Sequence, residues 1–184
     1  ILTSNEQMKG IYQELGYDNF KNLPGSYNEV INISKYFPLS KVIVGSDISE
    51  SKIKEMSDDK KMLDYDVIHF AVHGLVVPEL PELSALILSS DIEDNEDNFL
   101  RMSEIEKLDI NAKFVNLSAC DTGLGKNYSA EGMVRLADAF IKAGAETISM
   151  SLWPVNDAST SILMDNLYNY AISNNMTYNE AMNK

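Results

Sequence analysis

Short apolar runs alternate with amphipathic stretches along most of this chain. Residues 66–72 and 113–119 are apolar on both faces, which is typical of central strands in a parallel sheet. Shorter runs at residues 41–44, 86–88 and 147–150 are further strand candidates. Strands separated by helices predict an α/β fold with a mostly parallel sheet that helices cover on both faces.

The helices between these strands are predicted from capping residues and apolar spacing. Three residue pairs have capping-box spacing: Ser26 with Glu29, Ser103 with Glu106, and Thr177 with Glu180. Residues 49–57 form a further helix candidate. Another helix is expected to end before Gly144, and Asn156 or Asp157 is suited to cap the helix that follows. We therefore expect a single α/β domain over residues 1–184.

Composition and charge restrict the partners of this domain. Against 15 basic residues there are 28 acidic ones, and the formal net charge of −13 disfavours nucleic acid and anionic membranes. The chain contains no apolar run of the roughly 18–20 residues that cross a bilayer. One cysteine cannot form an internal disulfide, so the cytoplasm, a reducing compartment, is the expected location. Because the chain starts at Ile1 and stops within a predicted helix, both ends are expected to be cut from a longer polypeptide.

The candidate chemistry lies where the two most apolar strands end. His73 follows one strand and Cys120 follows the other, and ligands of open α/β sheets bind beyond the carboxyl ends of the strands. Neighbouring strands lie roughly 4.8 Å apart, so these two side chains can reach one another. Histidine is the side chain best suited to lower the pKa of a thiol and so activate it as a nucleophile. Backbone N–H groups of Gly74 and Cys120 are predicted to hold the oxyanion.

Each of the two residues also has a simpler interpretation. A lone cysteine after an apolar strand is usually a buried, inert residue, and a lone histidine there usually has a structural role. Their joint occurrence at one sheet edge, each followed by turn residues, favours a catalytic pair of Cys120 and His73.

Three ordered sequence blocks resemble those of CHAT domains, which are bacterial relatives of caspases and separases. Residues 69–74 read His-Phe-Ala-Val-His-Gly, residues 116–123 read Asn-Leu-Ser-Ala-Cys-Asp-Thr-Gly, and residues 151–157 read Ser-Leu-Trp-Pro-Val-Asn-Asp. Further matching features are Leu-Pro-Gly-Ser at residues 23–26, Glu29, and Glu-Gly at residues 131–132. The resemblance runs from about residue 23 to residue 184.

This resemblance implies a caspase-like three-layer sandwich, with a central mostly parallel sheet flanked by helices. It assigns the catalytic residues of the family to His73 and Cys120 and implies a cysteine endopeptidase that cleaves protein or peptide substrates. No metal or organic cofactor is expected. TPR-like or other sensor modules, in the same chain or a partner chain, are expected to trigger cleavage. CHAT domains normally continue to a final strand rich in aromatic residues, which this chain does not reach.

The resemblance to separases also suggests a substrate preference. By that analogy Trp153 lines the specificity pocket, and Asp157 favours a basic side chain before the scissile bond. The structural alternatives are a core position for Trp153 and a helix N-cap role for Asp157.

Other functions fit the residues less well. A zinc site with His69 and His73 needs helical spacing and a further ligand, whereas the neighbours of His69 predict a strand in which it is buried and hydrogen-bonded. The Asp-Thr-Gly triplet at residues 121–123 would need a second carboxylate from a homodimer. The Gly-Leu-Gly-Lys stretch at residues 123–126 lacks the rest of a phosphate loop. A catalytically silent, caspase-like interaction module stays open as the alternative to an enzyme.

Overall fold

The computed structural model describes residues 5–17, 20, 22–77, 80–89, 96–118, 130–151 and 157–184. Its α-helices are α1 (Asn5–Glu14), α2 (Pro24–Ser34), α3 (Glu50–Asp58), α4 (Met102–Ile105), α5 (Ala130–Lys142), α6 (Asp157–Tyr168) and α7 (Tyr178–Met182). Its strands are β1 (Val67–Phe70), β2 (His73–Leu75), β3 (Ala85–Ile87), β4 (Phe99–Arg101), β5 (Phe114–Leu117) and β6 (Ile148–Met150). A π-helical turn, Asn169–Ser173, continues α6, and short 3₁₀ turns lie at Gly45–Asp47, Lys61–Asp64 and Pro81–Leu83.

Three strands form a fully parallel sheet in the order β1-β5-β6. Phe70 at the end of β1 lies opposite Leu117 at the end of β5, and Leu117 lies opposite Met150 at the end of β6. The three strands therefore end level with one another. The parallel strands that the apolar runs predict are confirmed, although each is shorter than its run.

Helices pack against both faces of this sheet. On one face, Phe114 joins a cluster that includes Ile33 of α2 and Leu167 of α6. On the other face, a larger cluster holds Phe70 together with side chains of α3 and α5, such as Phe140. The predicted three-layer arrangement of helices, sheet and helices is present in the described residues.

The remaining strands form a separate antiparallel sheet, β2-β3-β4. The apolar run at residues 86–88 correctly predicts a strand there, β3, but the sequence pattern does not predict this sheet. The strand predicted over residues 66–72 is wrong at its end, because β1 stops at Phe70 and His73 begins β2 opposite Ile87. The apolar pattern hides this change of partner because β2 is also buried. Leu75 of β2 and Val77, which follows the strand, are at most 1% exposed.

Capping spacing predicted some helix starts correctly and misjudged one of functional interest. The hydroxyl of Thr177 accepts from the N–H of Glu180, whose carboxylate accepts from the N–H of Thr177, as predicted for α7. The pair Ser26 and Glu29 is not a capping box. Helix α2 begins at Pro24, the hydroxyl of Ser26 donates to a backbone carbonyl, and the side chain of Glu29 is buried.

Two other predicted elements differ in the structure. The run at residues 41–44 forms no ladder with any described strand, and Lys41 and Val42 are exposed. Helix α4 ends before Glu106, and the carboxylate of Glu104 accepts from the N–H of Arg101. The capping-box spacing of Ser103 and Glu106 therefore predicted that a helix lies here but not where it begins and ends.

A cluster of three acidic side chains around one lysine joins α3 to α4. The ammonium of Lys54 lies 2.8 Å from Glu50, 3.1 Å from Glu96 and 2.8 Å from Glu104. The three carboxylates have oxygens within 4.8 Å of one another, a spacing that suits a metal ion. The ammonium of Lys54 supplies the positive charge there, so the cluster is a structural ion-pair network.

Gly144 follows α5 with φ +113°, and an added Cβ would lie 2.0 Å from the carbonyl oxygen of Ile110. We expect Gly144→Ala to lower the free energy of unfolding by roughly 2–4 kcal/mol, because both the backbone conformation and the space exclude a side chain. Urea denaturation measures the change. Gly10 in α1 is the control, since an added Cβ there meets nothing within 4 Å. Gly10→Ala should raise stability by about 0.5–1 kcal/mol, and equal losses in both variants would contradict this account.

Glu50 makes the stability of the fold depend on pH. Burial raises the pKa of its carboxyl from the ordinary 4.5 to about 7. The folded protein therefore holds a proton that the unfolded chain releases, so this contribution is complete below pH 4.5 and is lost as the pH rises through 7.

We expect Glu50→Gln to remove this loss of stability. The difference in unfolding free energy between variant and unaltered protein should move in favour of the variant by on the order of 2 kcal/mol from pH 5 to pH 8. Urea denaturation at both pH values provides the measurement. Glu55→Gln changes an exposed carboxylate on the same helix and should show no such gain. A pH-independent difference for Glu50→Gln would count against the raised pKa.

Candidate active site

His73 lies at the start of β2, and two residues separate it from the end of β1. Its ring is half-buried, and its centroid is 5.5 Å from that of Phe20, with the planes tilted by 41°. Phe20 contacts Phe99 edge-on at 6.2 Å, and Phe99 stacks on Tyr12 of α1 at 3.7 Å. A row of contacting aromatic rings thus connects α1 to His73 and restricts the position of the His73 imidazole.

The other residues predicted for the site are distributed over three regions. Gly74 is buried in β2 opposite Leu86, directly after His73. Helix α6 begins at Asp157 itself, so this residue is the first of the helix and not its N-cap. Cys120 and Trp153 lie outside the described residues, as does the side chain of Asp157. The structure therefore brings His73 and Gly74 together on one strand.

The two strands that lead to His73 and Cys120 are neighbours and end at one edge, as predicted. Phe70 lies opposite Leu117, and the N–H of Ser118 donates to the carbonyl of Phe70 at 3.0 Å. In the sequence, His73 stands three residues after Phe70, and Cys120 stands three residues after Leu117. Each candidate residue thus follows the end of its strand by the same number of sequence positions.

A buried polar cluster lies just below this edge, on the face covered by α2 and α6. Nε2 of His69 is 2.7 Å from a carboxylate oxygen of Glu29, and the same oxygen accepts from the hydroxyl of Ser118. Nδ1 of His69 is 3.1 Å from the hydroxyl of Tyr168 and 3.0 Å from Nδ2 of Asn116. The prediction that His69 is hydrogen-bonded is confirmed, and its side chain is nearly buried, at 9% exposed.

The partners of His69 determine which ring nitrogen carries the proton. A carboxylate only accepts hydrogen bonds, so Nε2 of His69 carries the proton and donates to Glu29. The side-chain amide of Asn116 is oriented to donate, so Nδ1 of His69 accepts from its Nδ2. Burial raises the pKa of Tyr168, which keeps its hydroxyl a neutral partner. Both ring nitrogens are used in this way, so His69 has none left for a zinc ion shared with His73.

The cluster contains serine, histidine and glutamate but is not a serine-type catalytic triad. In a triad the serine hydroxyl is hydrogen-bonded to one ring nitrogen of the histidine, and the carboxylate is hydrogen-bonded to the other. Here the hydroxyl of Ser118 donates to Glu29 instead, and the two residues are 1% and 2% exposed. Substrate cannot reach this hydroxyl, so the cluster acts by holding the strands.

A small cavity of about 120 Å³ opens beside β1 at the same edge. Apolar side chains dominate its lining, including Val30 of α2, Ile43 and Ile48 after that helix, and Val72. Val72 directly precedes His73 in the sequence. The lining includes His69 but not His73, so the cavity adjoins the chain segment before His73 rather than its imidazole.

The polar cluster is the part of the site that sequence reasoning missed. The apolar pattern predicts Asn116 and Ser118 only as members of a buried strand, and capping-box spacing predicts Glu29 as part of a helix cap. One signal was present: two polar residues at alternate positions of a buried strand share one face, and parallel pairing places His69 beside Asn116 on that face.

The family comparison agrees with this fold and these strand ends. The arrangement is that of an α/β protein whose candidate residues follow the carboxyl ends of adjacent parallel strands. The family model for the CHAT domain matches residues 10–184, so the chain belongs to the CHAT domain family. The match begins within α1, earlier than the motifs alone indicated. No match was found among curated proteins or among solved structures.

In the described part of the chain, no helix is both long enough and apolar enough to cross a membrane.

Proposed function

We propose that this chain is a caspase-like cysteine endopeptidase in which Cys120 is the nucleophile and His73 its acid/base partner. The observation that carries the proposal is the parallel pairing of β1 with β5, in which the two strands end opposite one another. His73 and Cys120 each stand three positions after the last residue of one of these strands. Membership of the CHAT family, which is associated with caspase-like cysteine peptidases, supports it.

The proposed reaction uses the two side chains in sequence. His73 takes the proton of the Cys120 thiol, and the thiolate adds to the peptide carbonyl carbon. The N–H groups of Gly74 and Cys120 stabilise the oxyanion. His73 then gives its proton to the departing amine as the carbon–nitrogen bond breaks. Water, deprotonated by His73, hydrolyses the thioester and restores the thiol.

The substrate is proposed to be a protein or peptide that is basic before the scissile bond. The net charge of −13 favours basic segments. Asp157, at the start of α6, is proposed to select the basic side chain, and Trp153 to line its pocket. TPR-like or other sensor modules are proposed to control the cleavage.

An electrophilic peptide probe tests the peptidase directly, since the chain has one cysteine. We expect covalent labelling of the unaltered protein and none of Cys120→Ala. His73→Ala should react at least about 100-fold more slowly, because general acid–base catalysis contributes that much or more. Mass spectrometry of the intact chain gives the extent of labelling. Equal labelling of the unaltered protein and Cys120→Ala would contradict the proposed peptidase activity and favour a catalytically silent interaction module.

Substrate preference is tested with paired peptides that differ only in Arg or Gln before the scissile bond. We expect Asp157→Asn to reduce the ratio of kcat/KM values for Arg over Gln by about tenfold, the effect of losing one charged hydrogen bond. Asp165→Asn is the control, because Asp165 lies two turns along the same helix and accepts from Tyr36. An unchanged ratio in Asp157→Asn would remove this residue from the specificity pocket.

A further inference from the structure

Glu29 holds together three elements with one carboxylate oxygen. It projects from α2, and the same oxygen accepts from Nε2 of His69 on β1 and from the hydroxyl of Ser118 at the end of β5. The side chain is buried, so these protein donors replace water around it. A carboxylate with two strong donors is restrained in a way that an apolar side chain is not.

A purely structural role accounts poorly for a carboxylate at this position. The surrounding face of the sheet is apolar, with Ile33, Met164 and Leu167 in one cluster. Well-packed apolar side chains stabilise such an interface at least as well as buried charged groups do. The polar cluster therefore calls for a role other than stability.

The position of the cluster in the chain indicates that role. Ser118 stands two residues before Cys120, and His69 stands four residues before His73. Ser118 is restrained twice, since its N–H donates to Phe70 and its hydroxyl donates to Glu29. Glu29 thus contacts both chain segments immediately before they leave the parallel sheet.

We propose that Glu29 is a positioning residue, which fixes the end of β5 against the end of β1 and so sets the separation of Cys120 from His73. This inference rests on the proposed function. Proton transfer needs donor and acceptor within hydrogen-bond reach, and a misplacement of about 1 Å can cost on the order of 100-fold in rate. A thiolate near an imidazolium has a lowered pKa, so a displaced His73 also raises the pKa of the thiol.

The test uses Glu29→Gln, Ser118→Ala and the double variant, with two measurements on the single thiol. The first is the rate of labelling by the electrophilic peptide probe, which we expect to fall by about 10- to 100-fold in each single variant. The second is the pH midpoint of alkylation by iodoacetamide, which should rise toward the value of a free thiol, about 8.5. The double variant should resemble the slower single variant, because both changes act on one hydrogen bond, which Glu29→Gln weakens and Ser118→Ala removes.

Matched controls come from α3, which packs on the opposite face of the sheet. Glu50→Gln changes another buried carboxylate, and Ser57→Ala removes another buried hydroxyl, which accepts from the N–H of Asp109. Both controls should stay within about twofold of the unaltered protein in labelling rate, as expected for distant sites. Urea denaturation confirms that each variant is folded.

The outcomes separate this inference from the proposed function. If Glu29→Gln loses stability but keeps the labelling rate and the pH midpoint, Glu29 is only structural and the inference is overturned. If Glu29→Gln does not fold, the smaller change Ser118→Ala decides by the same two measurements. If the unaltered protein labels no faster than Cys120→Ala, the peptidase itself fails.

Discussion

The pairing of β1 with β5 is the constraint on which the candidate site depends. Phe70 and Leu117 lie opposite one another, and the hydrogen bond from Ser118 to Phe70 adds the last rung of the ladder. Helices on both faces bury this pair of strands, so its register cannot slip without exposing the core. The chain then departs toward His73 from one strand and toward Cys120 from the other.

Two buried carboxylates illustrate different ways of satisfying such a group. Glu50 is partnered by the ammonium of Lys54, and the pair belongs to an ion network that fastens α3 to α4. Glu29 is partnered by a hydroxyl and an imidazole N–H. Lys54 places a positive charge beside Glu50 where α3 meets α4, whereas the two donors of Glu29 restrain the ends of β1 and β5 relative to each other.

The sequence predicted the parallel strands and the edge they share, because both follow from apolar runs of ordinary length. It could not predict that β2 belongs to another sheet, since residues on both sides of Phe70 are apolar. Nor could it predict the partners of Glu29, because a capping box and a buried carboxylate have the same spacing in the sequence. The difference lies in tertiary contacts with His69 and Ser118, which local patterns do not contain.

The step from β1 to β2 consists only of Ala71 and Val72. Three successive Cα–Cα steps span at most about 11 Å, so this connection limits how far the end of β1 and the start of β2 can separate. The antiparallel sheet cannot move away from the parallel sheet at this point unless paired residues first separate. Mechanically, the two sheets are coupled at His73, and any large displacement of its backbone has to begin with the separation of paired strand residues.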